Sequence, residues 1–317
     1  MDRGIGPDRA LGASQRKRTS RGIYSAWSRA SVDKAFVLAS RKDDDVAWLT
    51  DYFPEWKKYQ YVVDDPNASL TVSRNKGRES MAYLTFIIDN YEKLPSYVLF
   101  IHPTRYQWHN DDPDYDGLPM LRSFQLPYLK QEGYVNLRCV WVLGCPGEIR
   151  PLTDAEGHRH DDGPTARDAY LKAFRELFPD RPVPEVVGVS CCAQFAVTRE
   201  KILERPKSDY EFYRGWLLNT DLDDSVSGRV LEYSWHSKHW ELADPLALHV
   251  IFGKNPVHCP EARSCYCNVF GLCHLKCDKP DSCERRYILP PYSVLPSGWP
   301  TIGWNGGPRN RVIEVEL

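Results

Sequence analysis

Tyr97-Val98-Leu99-Phe100-Ile101-His102 sets five apolar residues in an unbroken row before a histidine. A run this short and this uniformly apolar fits a strand buried on both faces, as in the centre of an α/β sheet. Working outward, Ala35-Phe36-Val37-Leu38-Ala39, Tyr59 to Val63, Val135 to Val142 and Phe195-Ala196-Val197 read the same way. Helical spacing separates them. Tyr83, Phe86, Ile87 and Tyr91 share one face of a helix over Arg78 to Tyr91, stopped by Leu94-Pro95. Tyr170, Ala173, Phe174 and Leu177 share one face over Thr165 to Phe178, closed by Pro179. The alternation predicts an α/β fold with a mixed or mostly parallel central sheet flanked by helices and a cysteine-rich C-terminal extension. Ligands of open α/β sheets bind beyond the carboxyl ends of the strands. His102 and the polar stretch after Val72 therefore have first claim on function.

With 42% hydrophobic and 26% charged residues, the 317-residue chain has enough apolar side chains for a sizeable core. Residues 1–30 mix Gly, Pro, Ser and Arg, include Arg16-Lys17-Arg18 and Arg21, and read as a flexible basic tail, a targeting signal or an arm for RNA phosphates. Residues 31–257 are expected to form the catalytic α/β domain, and 258–317 a cysteine-rich segment with an irregular tail. A formal charge of −2 gives no global basic field, so no DNA partner is expected. No stretch approaches the roughly 20 apolar residues of a membrane span, and the N-terminus lacks the apolar centre of a secretory signal. A cytoplasmic location without a membrane partner is the expectation.

Several clusters carry chemistry. Ser73-Arg74-Asn75-Lys76-Gly77-Arg78-Glu79 puts three cations and a Gly ahead of a helix whose free N–H groups suit phosphate; Lys76 and Arg78 are candidate substrate contacts. His102 to Asp112 holds His102, His109, Asp111 and Asp112 on a predicted loop after a strand. Cys191-Cys192 beside an apolar run reads as buried rather than nucleophilic. From Trp216 to His236 come Asp221, Asp223, Asp224 and Arg229. Glu232 and His236, four residues apart, share a face if that stretch is helical, which makes them acid-base candidates. Cys259, Cys265, Cys267, Cys273, Cys277 and Cys283, with His258 and His274, suit either a structural zinc or disulfide staples.

The motifs NKGRES and MAYLTFIIDNY (75–91), LPSYVLFIH (94–102), WHND (108–111), GYVNLRC (133–139), CCAQFAVTREKI (191–202), WLLNT (216–220), SGRVLEYSWH (227–236) and VIFGK (250–254) together resemble a large fungal family that includes the arginine-containing cyclodipeptide synthases. One departure is the intervening stretch Ser237 to His249, a retained intron or a genuine insertion. The resemblance implies condensation of arginyl-tRNA with a second aminoacyl-tRNA to a cyclic dipeptide, cyclo(Arg-Xaa), with no cofactor required beyond a possible structural zinc. Such chemistry needs a base for the α-amine and an acid for the departing ribose oxygen, for which His102, His109, Glu232 and His236 are candidates. Asp111, Asp223 and Asp224 are candidates for the arginyl guanidinium. Arg74, Lys76, Arg78, Arg199, Lys201, Arg205 and Lys207 could meet tRNA phosphates. The alternatives are a glycosyltransferase with a nucleotide-sugar (GT-A-like) fold, which an Asp-x-Asp directly after a strand would favour, and a metal-binding interaction protein, which a wide separation of the His102 and Glu232 regions would favour.

Overall fold

The computed structural model describes residues 33–154, 164–236 and 251–309. The basic tail, the Ser237 to His249 departure and residues 310–317 lie outside the described residues. From the N-terminal side come β1 (Lys34–Ser40), α1 (Ala47–Tyr52), β2 (Lys57–Val62), α2 (Ser80–Asn90), β3 (Tyr97–Phe100), α3 (Gly117–Ser123), α4 (Leu126–Glu132) and β4 (Tyr134–Asn136). Then follow α5 (Pro151–Asp154), α6 (Ala166–Leu177), β5 (Gly188–Val189), β6 (Phe195–Thr198), α7 (Arg199–Leu203), α8 (Lys207–Asn219), α9 (Asp224–Glu232), β7 (Val257–His258) and α10 (Ala262–Phe270).

The central sheet has the order β2-β1-β3-β6-β4, and a two-stranded sheet pairs β5 with β7. β1 runs parallel to both β2 and β3, whereas β6 runs antiparallel to β3 and to β4. The sheet is therefore mixed, as expected. Its side chains sort by the two-residue period of a strand. Val37, Val98, Phe100, Phe195 and Val197 enter one core with α2, α6, α8 and α9, while Phe36, Leu38, Leu99, Ile101 and Ala196 enter the other with α1, α3, α4 and α10. Burial on both faces is why these strands read as continuous apolar runs.

α2 is buried almost all round, which explains its weak amphipathic contrast. α6 is the amphipathic case and begins with a capping box formed by Thr165 and Asp168. One strand expectation is trimmed. Within the apolar stretch Val135 to Val142 the strand ends at Asn136; Leu137 N still donates to Gln194 O at 2.9 Å, after which Asn136 Oδ1 accepts from Arg138 N at 2.8 Å and the chain leaves the ladder.

The segment from 258 onward belongs to the same compact unit as the sheet, Asp33–Leu317. Ala262, Cys265, Tyr266, Val269, Phe270 and Tyr287 are buried in the second core. Disulfides join Cys139 to Cys265, Cys145 to Cys259, Cys191 to Cys192, Cys267 to Cys273 and Cys277 to Cys283. Of the two readings of the cysteine-rich segment, this structure holds the staples. Cys259, Cys265, Cys267, Cys273, Cys277 and Cys283 are all oxidised, so the thiolates expected to ligate a structural zinc are not formed.

Gly144 shows how closely the Cys145 to Cys259 region is packed. Its φ is +115°, and a Cβ would lie 1.9 Å from the carbonyl oxygen of Val189, whose own N–H donates to Gly144 O. Gly144→Ala is expected to lower stability by about 3 kcal/mol or more, since backbone strain and a backbone clash add. Gly215→Ala in α8, where a Cβ meets nothing within 4 Å, is the control and should gain up to about 1 kcal/mol. Denaturant midpoints of the two variants check both, and equal midpoints would contradict the packing.

Candidate acid-base site

β1 leads to β2 on one side and β3 pairs on its other side, so the crevice beyond the carboxyl ends of β1 and β3 is a topological switch point. His102 leaves β3 into this crevice. Its ring Nε2 lies 2.9 Å from Cys192 O, and its backbone N–H donates to Gln194 Oε1 at 3.1 Å. A carbonyl only accepts, so Nε2 carries the proton and Nδ1 is left with a free lone pair. Desolvation lowers the His102 pKa, against the Cys192 carbonyl and Glu232, which favour the charged ring, so a neutral imidazole is the resting form.

The N–H of the same residue, Cys192, donates to Glu232 Oε1. The two backbone groups of this one residue thus orient both His102 and Glu232. Cys192 and Ala193 have φ of 92° and 47°, a region that L side chains rarely adopt, at a cost of about 1 to 3 kcal/mol each. The bond to Cys191 and the contacts to His102 and Glu232 hold them there. Glu232 is the last residue of α9, and Gly228 lets that helix approach closely: a Cβ there would lie 3.0 Å from Gly77 O. The contact brings Glu232 and Arg229 up to Arg78 and Glu79.

Desolvation raises the Glu232 carboxyl, opposed by the Arg229 guanidinium and the Cys192 N–H; the charge of Glu79 adds to the rise. Glu79 itself is pushed up to about 7 by desolvation, against its own backbone N–H and Arg78. The residue as a whole is half-buried. Both carboxyls are raised and stand near a neutral imidazole, so groups able to hold a proton and groups able to take one meet in the same crevice.

His109 stacks on His102 with ring centroids 4.2 Å apart, and its ring centroid lies 4.1 Å from that of Trp108. Desolvation, then His102, Arg138, Arg78 and Arg229, hold its pKa well below the ordinary value. It stands as a neutral wall of the site. Gln194 links the two histidines, donating to His109 O and to Asn110 Oδ1 at 3.3 and 3.2 Å.

The structure thus brings together His102, His109, Glu232, Arg229 and Arg78 of the expected residues. It separates others. The helix stops at Glu232, and Ser234 N and Trp235 N both return to Leu231 O, so His236 does not share a face with Glu232. His236 instead holds Pro256 O at 2.9 Å, and desolvation lowers its pKa to about 3. It is a core histidine.

Asp111 is buried and accepts from Cys139 N and Val140 N at 2.5 and 3.2 Å and from Tyr266 OH at 2.6 Å. Those bonds occupy both oxygens with the protein itself, which corrects its expected role toward a guanidinium. Asp224 accepts from Gly77 N at 3.3 Å, and Asp223 precedes α9 on the surface. Lys76 is buried with its Nζ on Leu222 O at 2.8 Å, so it clips the loop before α2 to the loop before α9 instead of facing phosphate. Arg205 is also buried, on Ile251 O and Asp209. Asp221-Leu222-Asp223 follows α8 rather than a strand.

Sequence reasoning missed Glu79, quoted within its motif but taken for a helix-start charge, and Gln194. Only the position of Glu79 at a predicted helix start beside Arg78 could have flagged it. Among the described residues, Cys191, Cys192 and Glu232 have ligand atoms within 4.8 Å of one another, the spacing of a metal site, but the two sulfurs are bonded to each other. In this redox state they offer no thiolate.

Fold and site define an α/β protein with carboxylates and imidazoles gathered at a sheet switch point. The chain belongs to the family described as protein of unknown function (DUF3431), whose model matches residues 36–268. No curated protein and no solved structure matches it. The matched region ends inside α10, yet residues beyond it cover the histidine loop: Tyr287 OH donates to Trp108 O at 2.9 Å and Trp299 Nε1 to Asp114 O at 2.7 Å.

Proposed function

We propose that the chain is a transferase that moves a glycosyl group from a phosphate-activated donor to an acceptor in an oxidising compartment. The observation that carries this is the convergence of Glu79, Glu232 and neutral His102 with Arg78 and Arg229 in one crevice. Glu232 or His102 would take the acceptor proton, and Glu79 would serve as the acid. The Asp221-Leu222-Asp223 triplet follows α8, so the expected mark of a nucleotide-sugar enzyme is not met and the reading rests on Arg78 and Arg229 to hold the leaving phosphate. With Cys191 and Cys192 joined, a thiol nucleophile has no part. The meeting of the His102 and Glu232 regions weighs against the interaction-protein reading.

Among the described residues no helix is long and apolar enough to cross a membrane. The five disulfides favour an oxidising compartment over the expected cytoplasm, because thiols there stay reduced. That same point separates the first reading from the second, synthesis of cyclo(Arg-Xaa) from arginyl-tRNA and another aminoacyl-tRNA. The second rests on motif order, and its substrates are cytosolic.

One assay tests both. Purified protein with its disulfides intact is given a panel of nucleotide sugars with acceptor sugars, and separately arginyl-tRNA with total aminoacyl-tRNA. Acceptor-dependent release of nucleoside diphosphate is the expected result. A cyclic dipeptide abolished by RNase would instead establish the second reading, and neither product would overturn both.

A further inference from the structure

We propose that Asn67 is an N-glycosylation acceptor; the proposal rests on the oxidising-compartment reading above. Asn67-Ala68-Ser69 is the only Asn-x-Ser/Thr triplet in the 317 residues, and its middle residue is not Pro. The fold places it where an enzyme can reach it. β2 ends at Val62, and the chain makes a turn in which Ala68 N donates to Asp65 O at 3.2 Å and Asn67 N to Asp65 Oδ1 at 2.9 Å. The turn is closed at its base by Val62 N on Leu70 O at 3.0 Å and Thr71 Oγ1 on Val62 O at 2.8 Å. Asn67 and Ser69 are both exposed at its tip, with exposed Pro66 beside them.

Two independent features then agree. A surface acceptor triplet and a full set of paired cysteines are each what a chain folded in the secretory pathway carries, and neither follows from the other. The site also has a structural consequence. β2 is an edge strand, paired only with β1, and a hydrated oligosaccharide at its end would hinder edge-to-edge pairing with another chain.

In the reaction the Asn67 side-chain nitrogen attacks the anomeric carbon of a lipid-pyrophosphate-linked oligosaccharide. A carbon-nitrogen bond forms, the carbon-oxygen bond to pyrophosphate breaks, the lipid pyrophosphate leaves with the bonding electrons, and the amide nitrogen gives up one proton to a base of the transferring enzyme. No oxidant or reductant takes part.

The full chain, with and without an added cleavable secretory leader, is translated with microsomes and expressed in a eukaryotic host. With the leader, one mobility shift is expected that peptide-N-glycosidase removes, that Asn67→Gln and Ser69→Ala abolish, and that Ser69→Thr retains or increases. Because the sugar is added during translocation, the result does not depend on whether a variant finally folds. A translocated chain whose Asn67 peptide is unmodified by mass overturns the site while leaving the compartment standing. Modification only when the leader is present, together with free thiols in the leaderless chain from cells, overturns the compartment and with it the modification in cells.

Discussion

Removing the bridges Cys139 to Cys265 and Cys145 to Cys259 together, by alanine at all four positions, is expected to leave the protein unfolded or molten at 25 °C. The two pairs close loops of 126 and 114 residues. In the chain-entropy account each such closure is worth about 5 kcal/mol, and because the loops overlap the sum is less than twice that. Net stability of a domain is only about 5 to 15 kcal/mol, so the loss is most of it. Packing adds to it, since Cys139 and Cys265 are buried in the core that holds α10.

The effect reaches the site as well. α10 supplies Tyr266 to Asp111, and Asp111 in turn holds the backbone of Cys139 and Val140. Loosening α10 frees the loop that carries His109, so activity should vanish at reductant concentrations that do not yet abolish helical circular dichroism. Single-pair variants should show intermediate thermal midpoints. A four-alanine variant with an unchanged midpoint would mean that the unfolded chain is already constrained or that the bridges are idle.

How much of this was legible beforehand depends on the range of the interaction. The strands, α2 and α6 were readable because burial on one or two faces prints a local period, and Thr165 with Asp168 prints a local cap. His102 was readable because a polar residue directly after a buried strand has few structural reasons to be there. Glu232 was picked for the wrong partner. Four-residue spacing suggests a shared helix face, but α9 ends at Glu232, and the true neighbours Cys192 and Glu79 lie 40 and 153 positions away in the chain. Asp111 and Lys76 show the converse error. Their charges look available in sequence, whereas folding spends them on the backbone groups of Cys139, Val140 and Leu222. Disulfide pairing was not readable at all, because spacing does not encode which distant segments meet.

Glu232→Gln is expected to lower the rate of transfer about 100- to 10,000-fold, the usual worth of a positioned general acid or base, with little change in thermal midpoint. The amide keeps an oxygen to accept from Cys192 N, so Cys192, whose carbonyl holds His102, stays in place. Glu79→Gln should cost a comparable factor, and the two variants should differ in their pH profiles. Glu79, pushed up to about 7, acts as an acid only while protonated, so the wild-type rate should fall as pH rises through about 7. Glu232, raised by desolvation against Arg229 and the Cys192 N–H, acts as a base only once ionised, so the rate should also fall as pH drops and Glu232 takes up its proton. The profile is therefore bell-shaped, with one limb from each of two carboxyls that feel each other's charge. Glu79→Gln should remove the alkaline limb and Glu232→Gln the acidic one. Survival of both limbs in both variants, in folded protein, would remove these carboxyls from the chemistry and leave His102 as the group to test next.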